Sequence, residues 1–127
     1  GSWIAGMTHG INYGYDRSED PAEFTDFLDY LKSLENRIWV GTFRDVAAYV
    51  AAAKGTTVEI SKNGNEITVV PATNLDKGIY ETYLTLEVNT GGKKVKAQQD
   101  GKSLETLYRD GKAFVSFSPF GGAVIIR

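Results

Sequence analysis

The spacing of apolar residues changes near Gly55, and this change limits the folds available to the chain. Before Gly55, apolar residues recur every three or four positions, as they do on one face of a helix. After Gly55, they alternate with polar residues, which is typical of strands with one buried face. The sequence therefore predicts an α+β fold with two domains, residues 1–54 and residues 55–127.

Two helices are predicted in the first domain, because each begins with residues that cap free backbone N–H groups. Asp20 precedes Pro21, and Glu23 completes the pattern of a capping box. Thr42 occupies the same position at the start of the second helix. That helix is predicted to end at Gly55, a residue that tolerates a left-handed conformation.

Short apolar runs precede both helices and are predicted to be buried strands, at Trp3–Met7 and Arg37–Gly41. The order strand, helix, strand, helix is typical of a parallel sheet covered by helices. A βαβα piece of this length is too short to bury both faces of its own sheet. We therefore expect its apolar faces to be covered by self-association, giving a homo-oligomer, or by the β-rich domain.

The second domain is predicted to be an antiparallel β-sandwich. The turn signals are Asn63-Gly64, Asp100-Gly101 and Asp110-Gly111, dipeptides that favour tight hairpins. Between them and other polar segments lie the predicted strands Thr57–Ser61, Glu66–Val70, Tyr80–Val88, Lys94–Gln99, Leu104–Tyr108, Ala113–Ser118 and Ala123–Ile126. Many short strands at this spacing are typical of a sandwich.

The composition of the chain argues against several classes of function. The net charge of −2 gives no cationic surplus to neutralise phosphates, so we expect no nucleic-acid partner. The chain has no cysteine, which excludes disulfides, thiolate zinc sites and cysteine nucleophiles. No apolar run approaches the roughly 20 residues that span a bilayer, so no membrane span is predicted.

His9 is the only histidine, and it follows the first predicted strand. An imidazole titrates close to neutral pH and can act as a general acid or base. The alternative is a histidine with a purely structural role, satisfied by hydrogen bonds. On the residues alone, the structural role is the interpretation that we prefer.

A family resemblance bears on this choice. It rests on Trp3, Met7-Thr8-His9-Gly10-Ile11, Phe24-x-x-Phe27-Leu28-x-Tyr30-Leu31 and Ile38-Trp39-Val40-Gly41-Thr42-Phe43-x-Asp45-Val46-Ala47-x-Tyr49-Val50. These residues resemble the C-terminal end of a polysaccharide deacetylase domain, a NodB-like carbohydrate esterase, with an appended β-domain. The resemblance covers residues 3–54 well and residues 55–127 loosely.

The resemblance implies a distorted (β/α) barrel, of which residues 1–54 are the terminal βαβα units. It implies removal of N- or O-acetyl groups with the help of zinc or another divalent metal. In this comparison His9 is the general acid, and Met7 and Trp3 are substrate-binding residues, with Met7 in the acetyl pocket. The family's metal ligands, an Asp-Asp pair and a His-x-x-x-His pair, have no match in this sequence.

We therefore predict a C-terminal fragment of a metal-dependent deacetylase that is inactive alone. It needs the missing N-terminal part of the catalytic domain, which supplies the metal site, and its substrate is an acetylated polysaccharide. The resemblance places the parent enzyme outside the cell or in the cell envelope.

The alternative is a non-catalytic β-sandwich module for glycan binding or protein docking. Four aromatic residues of the second domain either form a sugar-stacking surface or simply pack across strands, the interpretation that we prefer. They are Tyr80, Tyr83, Tyr108 and Phe120.

Overall fold

The computed structural model describes residues 2–7, 9–15 and 20–127. The chain forms two compact units, Gly1–Phe43 and Arg44–Arg127. The fold is mixed α+β with antiparallel sheets and few helices, which confirms the predicted class. The division into domains 1–54 and 55–127 stays a prediction.

The described elements follow one another in this order. The helices are α1 (Pro21–Ser33), α2 (Phe43–Gly55) and α3 (Lys77–Tyr80), with α3 lying between the second and third strands. The strands are β1 (Thr56–Asn63), β2 (Glu66–Thr73), β3 (Leu84–Asn89), β4 (Ala97–Gln99), β5 (Lys102–Ser103), β6 (Thr106–Arg109), β7 (Lys112–Phe117) and β8 (Val124–Ile126). Within the described ranges, no helix combines the length and the apolarity needed to cross a bilayer.

Helix α1 begins where the capping pattern predicts. The Asp20 carboxylate accepts a hydrogen bond from the Ala22 amide at 2.8 Å, and Pro21 is the first helical residue. Because the first N–H groups of a helix have no partner within the helix, this bond stabilises its first turn. None of the residues of α1 is buried: Phe24 and Leu31 of its apolar stripe are half-buried, and Phe27 and Leu28 are exposed.

The two strands predicted in the first unit are wrong. Residues 3–7 have no regular secondary structure, and residues 38–41 have none either. A short apolar run can form a strand only where another strand satisfies its backbone, and neither run belongs to a sheet of the described chain. Ile4 and Trp39 are accordingly exposed rather than buried.

Helix α2 ends at Gly55 as predicted, but for a different reason. Gly55 does not have a positive φ. A Cβ atom at this position would lie 2.8 Å from Cδ1 and 3.1 Å from Cγ of Leu75. The glycine therefore permits close packing of Leu75, rather than a left-handed turn.

All strand pairs described here are antiparallel, and they form two sheets. The first has the order β1-β2-β8-β4-β5, and the second has the order β3-β7-β6. The hairpin signals are confirmed, since Gly64 has φ 58°, Asp100 and Gly101 have φ 51° and 75°, and Asp110 and Gly111 have φ 52° and 74°. Glycine adopts positive φ without strain, and aspartate tolerates it better than most residues.

The predicted strand Tyr80–Val88 is shorter than expected. Tyr80 is instead the last residue of the single helical turn α3, which begins where the Asp76 carboxylate accepts a hydrogen bond from the Gly78 amide at 2.8 Å, and residues 81–83 have no regular secondary structure. The strand itself starts at Leu84. The side chains of Leu84, Leu86 and Val88 still lie on one face, as the alternation predicts.

One hydrophobic core unites the second unit. It contains Ala52 from α2, Val69, Ala97, Val124 and Ile126 from the larger sheet, and Leu84, Val115 and Phe117 from the smaller sheet. The strict alternation of buried and half-buried residues along β7 shows how period-two patterning builds this core. The opposite face of β7 is left for solvent or for a ligand.

Candidate functional site

His9 lies on the surface of the first unit. Its ring packs edge-on against the ring of Tyr15, with 6.2 Å between centroids and an interplanar angle of 70°. His9 is exposed to solvent. Thr8, which precedes it in the resembling motif, lies outside the described residues.

The two residues predicted to bind substrate beside His9 are also exposed. Met7 keeps 83% of its surface accessible, so a pocket around its side chain would need walls from another chain segment. The Trp3 ring packs at 5.1 Å and 40° against Phe43, the last residue of the same unit. Trp3 is still 47% exposed.

The described residues do not fit a divalent metal. Among residues 2–7, 9–15 and 20–127, no three His, Cys, Asp or Glu side chains are grouped closely enough to hold one. A zinc ion needs three or four such ligands. We therefore derive no chemical step through a metal from this chain.

A groove of about 560 Å³ lies on the second unit. Tyr83 and Phe120 provide its aromatic wall, and Ser116 and Ser118 provide hydroxyl groups. Its charged residues have both signs and are Lys77, Asp100, Lys102 and Glu105. Aromatic faces beside hydroxyl and charged groups form an amphipathic surface suited to a ligand with both C–H and O–H groups.

The groove follows from the alternation of the strands. Val115 and Phe117 point into the core, so Ser116 between them points to the opposite face of β7. In the same way, Leu84 is buried, and its neighbour Tyr83 is 67% exposed. The short β4–β5 hairpin brings Asp100 and Lys102 to the same groove.

Gln99 is a buried polar residue at the base of this groove, with 5% of its surface exposed. Its amide nitrogen donates hydrogen bonds to the carbonyl oxygens of Ser118 and Gly122, both at 2.9 Å. Its amide oxygen accepts a hydrogen bond from the Ser118 N–H, also at 2.9 Å. The sequence did not predict these contacts, because Gln99 appears there only as one polar residue of an alternating strand.

The four aromatic residues considered for sugar stacking separate into two groups. Tyr83 and Phe120 line the groove. Tyr108 instead directs its hydroxyl group to the backbone of Val95, and Tyr80 is half-buried at the end of α3. The structure thus brings together half of the predicted set and adds Ser116 and Ser118.

We compared the chain with protein-family models, with curated proteins and with solved structures, and none of them matches it. The resemblance to polysaccharide deacetylases therefore rests on the sequence motifs alone.

Proposed function

We propose that this chain is the C-terminal portion of a metal-dependent polysaccharide deacetylase, and that its β-rich unit binds the polysaccharide. The groove lined by Tyr83 and Phe120 is the observation that supports the binding function. The sequence motifs around His9 support the assignment to a deacetylase. The two sheets share one core, which supports a β-sandwich as the architecture of the binding unit.

The groove has the chemistry that a saccharide requires. A pyranose ring offers an apolar face of C–H groups, for which an aromatic side chain supplies a matching surface. Its hydroxyl groups need donors and acceptors, which Ser116, Ser118 and the charged residues of the groove supply. The volume of about 560 Å³ lies in the range of small-molecule sites, and we propose that it holds a short segment of the chain.

Affinity electrophoresis tests this binding, with the purified chain run through gels that contain acetylated xylan or soluble chitin oligosaccharides. We expect retardation by at least one of them, and Tyr83→Ala and Phe120→Ala should each weaken binding about fivefold, because stacking on an aromatic ring contributes about 1 kcal/mol. Leu107→Ala is the matched control, since Leu107 is an exposed apolar side chain outside the groove. Unchanged mobility of the wild-type chain in every gel would overturn the proposal.

In the deacetylase assignment, His9 protonates the leaving amine or alkoxide, and Met7 and Trp3 border the acetyl group. The metal ligands then belong to a segment other than the described residues, and the enzyme acts at the cell envelope or outside the cell. We expect no release of acetate from these polysaccharides by this chain, with or without added zinc. Clear turnover would show that these residues are sufficient and that the assignment as a fragment is wrong.

The groove is also open to a protein partner, which is the second candidate. It is favoured by the mixed charges of Lys102 and Glu105, which suit a polypeptide as well as a sugar. If a protein is the ligand, no saccharide retards the chain, whereas Tyr83→Ala abolishes capture of the separately expressed catalytic domain of the parent enzyme.

A further inference from the structure

The loop between β7 and β8 carries two of the groove's side chains. Ser118 and Phe120 both belong to this loop, and neither lies in a strand. Within the loop, the Gly121 N–H donates to the Ser118 carbonyl at 3.2 Å, and the Phe120 N–H donates to the Ser118 hydroxyl at 3.2 Å. These local bonds shape a turn, but they do not fix the turn relative to the sheet.

Gln99 supplies that connection from the neighbouring strand β4. Its side chain uses both of its N–H donors and one acceptor site on Ser118 and Gly122, the two residues that bracket Phe120. Gln99 is buried and these bonds are partly buried, so losing a partner would leave a polar group that water satisfies poorly. The amide thus fixes both ends of the segment that presents the Phe120 ring.

Two glycines allow the loop between β7 and β8 to lie close to the side chains of Gln99 and Asp100. A Cβ atom on Gly121 would lie 2.5 Å from Nε2 and 2.7 Å from Cδ of Gln99, a distance that real Cβ contacts do not reach. A Cβ atom on Gly122 would meet Oδ1 of Asp100 at 2.6 Å, and its next neighbour is at 3.8 Å. The backbone of the loop therefore rests directly on the Gln99 amide.

Asp100 provides a second connection between the loop and the β4–β5 hairpin. Its carboxylate accepts a hydrogen bond from the Gly122 N–H, at 3.1 Å to Oδ1 and 3.3 Å to Oδ2. This side chain is exposed, so it can rotate away at little cost, unlike that of Gln99.

We propose that Gln99 is a positioning residue for saccharide binding, which holds the loop Ser118–Gly122 so that Phe120 forms a preorganised wall of the groove. This inference rests on the proposed binding function. Preorganisation matters because a stacking ring that must first be ordered loses part of its binding free energy as conformational entropy.

The test compares Gln99→Glu with the wild-type chain in saccharide affinity and in amide hydrogen exchange. A carboxylate keeps the size of the side chain and can still accept from Ser118 N–H, but it cannot donate to the two carbonyl groups. We expect affinity to fall at least about tenfold and exchange at Ser118 and Gly122 to accelerate, because the bonds to the amide nitrogen are lost. Protection in the β1–β2 hairpin should be retained, which distinguishes a released loop from an unfolded unit.

Gly121→Ala and Gly122→Ala form a matched pair that leaves Gln99 unchanged. The first places a methyl group against the buried amide and should produce the same loss of affinity and of protection. The second displaces the exposed Asp100 carboxylate, which itself lines the groove, so its readout is hydrogen exchange: protection at Ser118 should be retained, because the Gln99 amide is undisturbed. Should Gln99→Glu unfold the unit, this pair decides the question, and an equal loss of protection at Ser118 in the two alanine variants would overturn the proposal.

The remaining outcomes separate the inference from the function on which it rests. Loss of affinity in Gln99→Glu with unchanged exchange at Ser118 and Gly122 would mean that Gln99 contacts the ligand directly, and the positioning role would be wrong. If the wild-type chain binds no saccharide, the proposed function fails. The exchange data then still decide whether Gln99 holds the loop.

Discussion

The hydroxyl group of Tyr108 makes two hydrogen bonds to the backbone of Val95. It donates to the carbonyl oxygen at 2.8 Å and accepts from the N–H at 3.1 Å. Tyr108 belongs to β6, at the edge of the smaller sheet, and Val95 lies in the segment that leads into β4 of the larger sheet. A single phenol thus connects two separate parts of the second unit, and this role replaces the sugar-stacking role considered from the sequence.

Tyr108→Phe should lower the free energy of unfolding by about 1 kcal/mol, because two backbone groups lose their partner at a partly exposed site. Urea denaturation measures this change. Saccharide affinity should stay unchanged, since Tyr108 does not line the groove. Tyr83→Phe is the control, because it removes a hydroxyl group from an exposed tyrosine and should leave stability unaltered. If Tyr108→Phe lowered saccharide affinity but not stability, the structural role of the Tyr108 hydroxyl group would be wrong.

Ile126→Ala and Ile60→Ala should differ strongly in their effect on stability. Ile126 is 1% exposed in the core, whereas Ile60 on β1 is 67% exposed. Removing the buried side chain should cost about 2–5 kcal/mol, because it loses apolar burial and leaves a cavity. The exposed substitution should change stability by no more than about 0.5 kcal/mol. If the two variants unfolded at similar urea concentrations, Ile126 would not belong to the hydrophobic core.

Gly55→Ala should destabilise the second unit by about 1 kcal/mol net, because the added methyl group overlaps Leu75 and such overpacking costs about 1–3 kcal/mol. The gain in helix propensity opposes this cost and is at most about 1 kcal/mol at the end of a helix. Leu75→Val tests the cause, since a smaller side chain should relieve the overlap in the double variant. Strictly additive effects in this double-mutant cycle would show that the two positions do not interact.

Asp20→Ala should destabilise α1 by about 1 kcal/mol, because the Ala22 N–H loses its acceptor at the helix start. Asp20→Asn retains an acceptor and should remain close to the wild-type chain. Amide hydrogen exchange in residues 22–24 measures the difference. Equal exchange rates in the two variants would mean that the cap does not contribute to the helix.

The local elements could be predicted because each depends on a few neighbouring residues. Asp100-Gly101 and Asp110-Gly111 form turns, since aspartate and glycine accept the positive φ that these hairpins need. Asp20 begins α1 for an equally local reason. The strands predicted at residues 3–7 and 37–41 do not form, because an apolar run does not reveal whether a partner strand exists.

The sequence alone therefore determined the α+β class, the capped helix α1 and the hairpins with their alternating faces. Only the tertiary structure decided that Tyr83 and Phe120 share a groove while Tyr108 does not. It also decided that Gln99 lies against Gly121, because strand β8 pairs with β4 and brings the loop that precedes it beside Gln99. Contacts between residues this far apart in the chain depend on sheet order, which the local pattern of side chains does not encode.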